Sequence, residues 1–351
     1  MAFPMAAPAA LAAARLARAA LADLWQALAA SHRMAAPVAC DGVFRFQETA
    51  DLAAVRLDYN TTILPAKKFF YPPVETIFRF HRHRGALAPD EEACEARRPL
   101  ALFGLHGCDV RALELLDQVY TGEFSDPAYA RARAETFIVA LSCLEPGPSC
   151  FCTSFRSGPF PESGFDLLLT DLGGHYLVEA GSARGAGLLQ QLGAEPADSE
   201  DQLLKTHRLR EAVARFRRHI PTEGLPRLLN QAFQHPVWQA LKDQCLSCGT
   251  CTVVCPTCYC FNVWDKVNLD LETGERKMAW DSCQLLDFGQ VALGQNFRRD
   301  RAARIKQRIY HKLNYFREQY GKFGCVGCGR CVEACVKHID PVTIVAALKG
   351  V

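Results

Sequence analysis

Hydrophobic positions recur with two periods along this chain, and the change from one to the other outlines its organisation. Leu21, Leu24, Trp25 and Leu28 fall at i, i+3, i+4 and i+7, one face of a helix, and predict a helix over residues 10–31. GVFRFQ (42–47) and AVRLDY (54–59) read as short strands. PLALFGLHGCD (99–109) is an apolar run that ends at a turn, and VRALELLDQVY (110–120) continues it with helical periodicity. ETFIVALSC (135–143) is another apolar, β-branched run of strand length. FDLLLTDLGGHYLVEAG (165–181) reads as two strands joined by Gly173-Gly174, a hairpin signal. Residues 1–40 thus form an N-terminal helical segment and residues 41–185 a mixed α/β domain. Residues 186–244 are polar and helical in pattern, a bridge. Over 245–351 cysteine motifs alternate with helical stretches. One of these, RRDRAARIKQRIYHKLNYFREQYG (298–321), carries Ile305, Ile309, Phe316 and Tyr320 at helix spacing. The class expected is α+β, with a helical domain last.

Composition narrows this picture in one respect. Of 351 residues 49% are hydrophobic, enough for a sizeable core and for two domains. A formal charge of +2 gives no reason to expect nucleic acid or a membrane surface as partner. The basic residues of 298–321 read as a solvated helix face, or one docking on an acidic partner. No apolar run is long enough for a transmembrane helix. The Ala- and Arg-rich start lacks an acid before Asp23, a composition shared with transit peptides, but the helical face accounts for it. What changes the picture is 17 cysteines. Disulfide scaffolds are small and secreted, whereas this chain is long, its cysteine count is odd, and it has no signal-peptide pattern. Metal ligation in a reducing compartment, the cytoplasm, is the expectation.

Cys245, Cys248, Cys251 and Cys255 read C-x2-C-x2-C-x3-C, with Pro256 next. Cys325, Cys328, Cys331 and Cys335 repeat that spacing. This is the ligand run of a [4Fe–4S] ferredoxin, in which three closely spaced thiolates wrap one face of a cubane and the fourth serves the other cluster. Cys245, Cys248, Cys251 and Cys335 are then expected on one cluster, and Cys325, Cys328, Cys331 and Cys255 on the other. Zinc uses pairs of C-x2-C set apart by a longer spacer, and a fourfold run occurring twice does not match it. The stretch between the runs reads as helical, so a helical two-cluster domain is expected. Gly249 and Gly329 sit within the runs, where the backbone must approach a cluster.

Other thiols are less determined. Cys258, Cys260 and Cys283 fit either an additional cluster with a non-cysteine ligand or buried small apolar side chains. Cys108 follows one predicted strand, and Cys143, Cys150 and Cys152 follow another. Four cysteines suffice for a third cubane, but C-x6-C-x-C is not a common run. Cys40 and Cys94 have no partners nearby in sequence. Lys67 and Lys68 read as a solvated pair, or as cations that raise a cluster potential or meet an acidic partner. No G-x-G-x-x-G follows a strand, no P-loop is present, and no residue reads as catalytic.

LPAKKFFYPPVETIF, GCDVRALELLD, CLEPGPSCFC, SGFDLLLTDLG, CPTCYCFNVWD, WDSC and CVGCGRC together resemble the iron–sulfur beta subunit of soluble nickel–iron hydrogenases of the sulfhydrogenase type. The iron–sulfur subunit of anaerobic sulfite reductase is similar. The resemblance runs from about residue 55 to the C-terminus. It implies an electron relay between a flavin subunit that handles NAD(P)H and the small and large nickel–iron hydrogenase subunits. The alternative is the same relay in a sulfite or polysulfide reductase. It also implies a third [4Fe–4S] cluster at Cys108, Cys143, Cys150 and Cys152, and it includes the positions of Cys258, Cys260 and Cys283. Val336 stands where the family usually has Pro, and Gln295 where it usually has His. A zinc-bearing scaffold that binds partners is the contrasting class; it would be colourless where an iron–sulfur protein is brown.

Overall fold

The structure, a computed structural model, describes residues 12–83, 86–89 and 98–350. The expectation for Cys94 lies outside the described residues. Two sheets organise the chain. The larger has eight strands: β1 (Ala12–Ala17), β2 (Arg33–Cys40), β3 (Val43–Glu48), β6 (Leu100–His106), β7 (Phe137–Leu141), β8 (Leu167–Asp171), β9 (His175–Ala180) and β10 (Glu195–Pro196), in the order β10-β1-β9-β8-β7-β6-β2-β3. The smaller contains β4 (Val74–His83), β5 (Ala86–Pro89), β11 (Phe261–Val267) and β12 (Thr273–Trp280), in the order β11-β12-β4-β5.

Strands β2, β6, β7 and β8 run parallel at the centre of the larger sheet. Parallel strands need crossovers and are covered on both faces, so they read as continuous apolar runs. That is how β6 and β7 read, and every residue in both is buried. The crossover between them is α2 (Gly107–Tyr120) and α3 (Pro127–Glu135). The Asp126 carboxylate caps α3, accepting from the N–H groups of Ala128 and Tyr129, and Pro127 occupies its first position. The hairpin expected over 165–181 forms, with β8 and β9 antiparallel.

Three expectations are corrected. The helix over 10–31 is half strand: β1 pairs with β9 from Ala12↔Ala180 to Ala17↔His175, and only α1 (Leu21–Ala29) is helical. Alanine is the best helix former, but propensity is a weak force and pairing with the open edge of β9 overrides it. Arg15 fixes the strand by donating to Asp201 at 2.9 Å and Asp198 at 2.8 Å. AVRLDY is not a strand. It leaves a short turn of 3-10 helix, Leu52–Ala54, and touches a sheet only through the single bridge Val38↔Val55. Finally, the stretch between the cysteine runs is not wholly helical. It opens with the hairpin β11–β12, which pairs with β4 and so joins the two halves of the chain.

Four helices, α4 (Ala183–Gln191), α5 (Ser199–Ala214), α6 (Leu225–Gln231) and α7 (Val237–Gln244), fill the polar stretch as its pattern predicts. After the hairpin, α9 (Arg301–Tyr310) passes through one π-helical segment, His311–Tyr315, into α10 (Phe316–Tyr320). Ile305, Ile309 and Phe316 are buried as their spacing predicts. Two single-turn helices, α8 (Thr250–Val253) and α11 (Arg330–Glu333), sit inside the cysteine runs, and α12 (Pro341–Leu348) packs against α7.

Candidate metal centres

The two cysteine runs fold alike. Ser247 and Gly327 take positive φ (+53° and +64°), and so do Gly249 and Gly329 (+77° and +75°), each of the latter two opening a single helical turn. The N–H of the first bend residue in each run points back to a thiol: Ser247 N to Cys245 Sγ at 3.3 Å, Gly327 N to Cys325 Sγ at 3.4 Å. Ile339 N donates to Cys335 Sγ at 3.4 Å. Backbone N–H groups aimed at sulfur are what a cluster-binding loop presents.

The runs enclose two cavities. Cys245, Cys248 and Cys251 line one, and the fourth thiol there is Cys335 of the other run. Cys325, Cys328 and Cys331 line the second, together with Cys255 of the first run. Among the described residues no three Cys, His, Asp or Glu side chains converge on a point fit for one metal ion. The thiols ring a void instead, as a cubane requires and a mononuclear zinc site does not. Burial pushes the Cys251 and Cys325 thiols up to about 12 and raises Cys328 further. Cys248, the exposed thiol of the set, moves down because it hydrogen-bonds the Thr250 hydroxyl at 3.3 Å. Buried thiolates are costly without a cation, and iron supplies it.

Cations that the sequence pattern assigned to a solvated face lie at these cavities. Arg304, Arg308 and Lys312 follow one another at four-residue intervals along α9 and the π-helical segment. Arg308 lines both cavities, donates to the carbonyl of Cys251 at 3.1 Å, and leaves Nε buried without a partner among the described residues. Lys312 is buried against the second cavity and donates to Thr257 O and Oγ1 at 2.9 and 2.8 Å. Arg304 ties the first run to the 284–299 segment, donating to Ser247 Oγ, Gln284 O and Arg299 O. A stripe of three cations beside Ile305 and Ile309, on the buried side of the same helix, is the signal that could have found them.

The N-terminal cysteines converge as well. Cys108 is the second residue of α2, directly after β6, and Cys143 lies two residues beyond β7. Both therefore sit at the carboxyl ends of neighbouring parallel strands. The loop from Cys143 returns Cys150 and Cys152 to them. Burial raises all four thiols, Cys143 to about 12, and Cys152 also feels Cys150, Cys143 and Cys328. The group abuts the second cavity through backbone: Phe151 N donates to Gly327 O at 2.7 Å, and Cys150 Sγ lies 3.7 Å from Cys328 O. A Cβ at Gly327 or Gly329 would stand 2.5 or 2.6 Å from the carbonyls of Phe151 and Ser149, so glycine is required at both. Arg330 completes the seam, reaching Asp109 at 2.6 and 2.9 Å and Thr62 O at 2.7 Å.

Cys258, Cys260 and Cys283 gather beside Cys255. Cys258 donates to Cys255 and lowers its pKa, and Cys283 does the same for Cys260. Lys67 is buried here, not solvated; its Nζ donates to Cys258 O at 2.6 Å and lies 4.1 Å from the Trp280 ring centre. Lys68 is half-buried, with its ammonium 5.2 Å from the Phe69 ring centre. Cys40 is the last residue of β2, and its half-buried thiol donates to Asp41 Oδ2 at 3.5 Å.

Two parallel ligand runs closing on two voids define an iron–sulfur protein of the dicluster kind, and residues 244–339 match the family model for a 4Fe-4S dicluster domain. No solved structure matches the chain. Sulfhydrogenase 2 subunit beta of Pyrococcus furiosus is 36% identical over 315 residues, which covers 89% of this chain and 91% of that one. The chain belongs to the family of iron–sulfur beta subunits of sulfhydrogenase-type hydrogenases. It is an electron-transfer subunit that carries [4Fe–4S] clusters, and among the described residues no helix is long and apolar enough to cross a membrane.

Proposed function

We propose that this protein relays electrons in the cytoplasm between a flavin subunit using NAD(P)H and the small and large subunits of a nickel–iron hydrogenase. Its residues 245–351 act as a ferredoxin-like unit with a helical frame, into which β11–β12 is inserted. The α/β domain takes in β1, β2 and β10 as well as residues 41–185, since those strands belong to its sheet, and the helices of 199–244 lead on to the cluster-binding unit. Cys245, Cys248, Cys251 and Cys335 hold one [4Fe–4S] cluster, and Cys325, Cys328, Cys331 and Cys255 hold another. Cys108, Cys143, Cys150 and Cys152 hold a third, against the second. The clusters supply one-electron chemistry; the chain fixes their spacing, buries them and sets their potentials through nearby charge.

The observation that carries the reading is the pair of cavities, each lined by three cysteines of one run and the fourth of the other. The shared backbone between the Cys150 loop and the Cys325 run supports the third site, because it sets the two thiol groups side by side. The test is anaerobic iron and sulfide analysis of the purified chain, with identification of the subunits that co-purify. About twelve irons and as many sulfides per chain are expected if all three cubanes fill. Eight remove the N-terminal cluster, and stoichiometric zinc with little iron overturns the assignment. A nickel-bearing large partner is expected; a sirohaem partner would instead favour sulfite reduction.

A further inference from the structure

Arg308 is out of place as an ordinary surface arginine. It lines both thiol cavities at once, with its guanidinium between the two runs. Among the described residues it makes one hydrogen bond, to the carbonyl of Cys251, and its Nε is buried with no partner there. Its neighbours along the helix are engaged otherwise. Arg304 is spent on backbone carbonyls and Ser247, and Lys312 on Thr257. A guanidinium withdrawn from water is strongly disfavoured unless an anion faces it. The cavities it borders hold Cys251 on one side and Cys255 and Cys331 on the other. Those thiols come from both runs.

We infer that Arg308 is a positioning residue shared by the two clusters of the crossed runs, one positive charge that favours the reduced form of both. The inference rests on the cluster assignment proposed above. Reduction adds one negative charge to a cluster, and a nearby cation in a low-dielectric site stabilises that added charge. Because Arg308 borders both cavities, its removal acts on both potentials. Lys312 gives the contrast, since it lines the cavity of Cys325, Cys328 and Cys331 and not the other.

The experiment is an EPR-monitored potentiometric titration of the full chain, purified anaerobically, as wild type, R308Q, R308K and K312Q. In R308Q the ratio of reduced to oxidised cluster at a fixed potential falls about tenfold or more at both centres, about 59 mV for a one-electron couple. R308K keeps the charge and loses less at both. K312Q moves only the cluster of Cys325, Cys328 and Cys331. Loss of both clusters in R308Q with retention of both in R308K also supports the inference, since only the charge differs in kind. The inference falls if R308Q retains its iron and shifts one potential or neither, if it loses one cluster alone, or if R308K fails to assemble as R308Q does. A wild-type chain without two clusters overturns the assignment beneath it, and the inference with it.

Discussion

Replacing Arg330 by methionine tests how the N-terminal half is fastened to the second cysteine run. Arg330 and Asp109 have side chains 2% exposed and meet in a two-bond fork, at 2.6 and 2.9 Å. The same guanidinium donates to Thr62 O at 2.7 Å and Thr62 Oγ1 at 3.0 Å. Methionine matches much of the stem but leaves the Asp109 carboxylate buried and unpaired. Removing one partner of such a pair costs about 3–5 kcal/mol, because the remaining charge has no compensation. Adding Asp109→Leu removes that charge. What then remains is the orphaned Thr62 carbonyl, a loss of about 1–3 kcal/mol, because the Thr62 hydroxyl still donates to Leu64 O at 2.8 Å. The double variant therefore recovers about 2 kcal/mol relative to Arg330→Met alone. Urea unfolding of the anaerobic chain, followed by circular dichroism, measures it, with iron content confirming that ligation is intact. A single variant within about 1 kcal/mol of wild type, or a double variant no better than the single, refutes the reasoning.

Cys335→Ala is expected to damage the cluster of Cys245, Cys248 and Cys251; EPR showing instead that only the cluster of Cys325, Cys328 and Cys331 is altered would refute the crossing. Cys150→Ser is expected to lose up to about four irons, or to change one EPR signal, while the crossed pair persists; full iron with unchanged spectra rejects the N-terminal site. Gly327→Ala places a Cβ 2.5 Å from the Phe151 carbonyl oxygen at φ +64°, so its loss in the same unfolding assay is expected to exceed clearly the about 1–2 kcal/mol that the left-handed backbone alone costs at open Gly193 (φ +61°); equal losses at the two positions would refute the close contact.

The parts of this molecule that were legible in its sequence are those where one local signal suffices. The spacing within each cysteine run, the apolar strands β6 and β7, and the Gly173-Gly174 hairpin are of that kind. What was not legible depends on pairing between distant segments. FNVWDKV becomes β11 although every one of its residues is exposed, so no buried face marks it in the sequence. β1 is four alanines with Arg15 and Leu16, which a neighbouring edge recruits. The same holds at the site. Arg308 and Lys312 lie in a run of basic residues that reads as solvated, and only the closure of the two runs over that helix face encloses them. Nor does C-x6-C-x-C, as a spacing, announce the proposed third site; Cys108 comes near those cysteines because two parallel strands end side by side.

On the proposed ligation, the exchange of fourth cysteines also sets an order of events during synthesis. When the first run leaves the ribosome it can offer its cavity only three thiols, and the cavity gains its fourth wall about eighty residues later, at Cys335. Strand β4 likewise waits for β12, made some 190 residues after it. The nascent chain thus holds a three-thiol pocket and a strand open along one edge until those distant segments emerge. Iron delivered before then would meet an incomplete site, so filling of the crossed clusters belongs after the second run has been made.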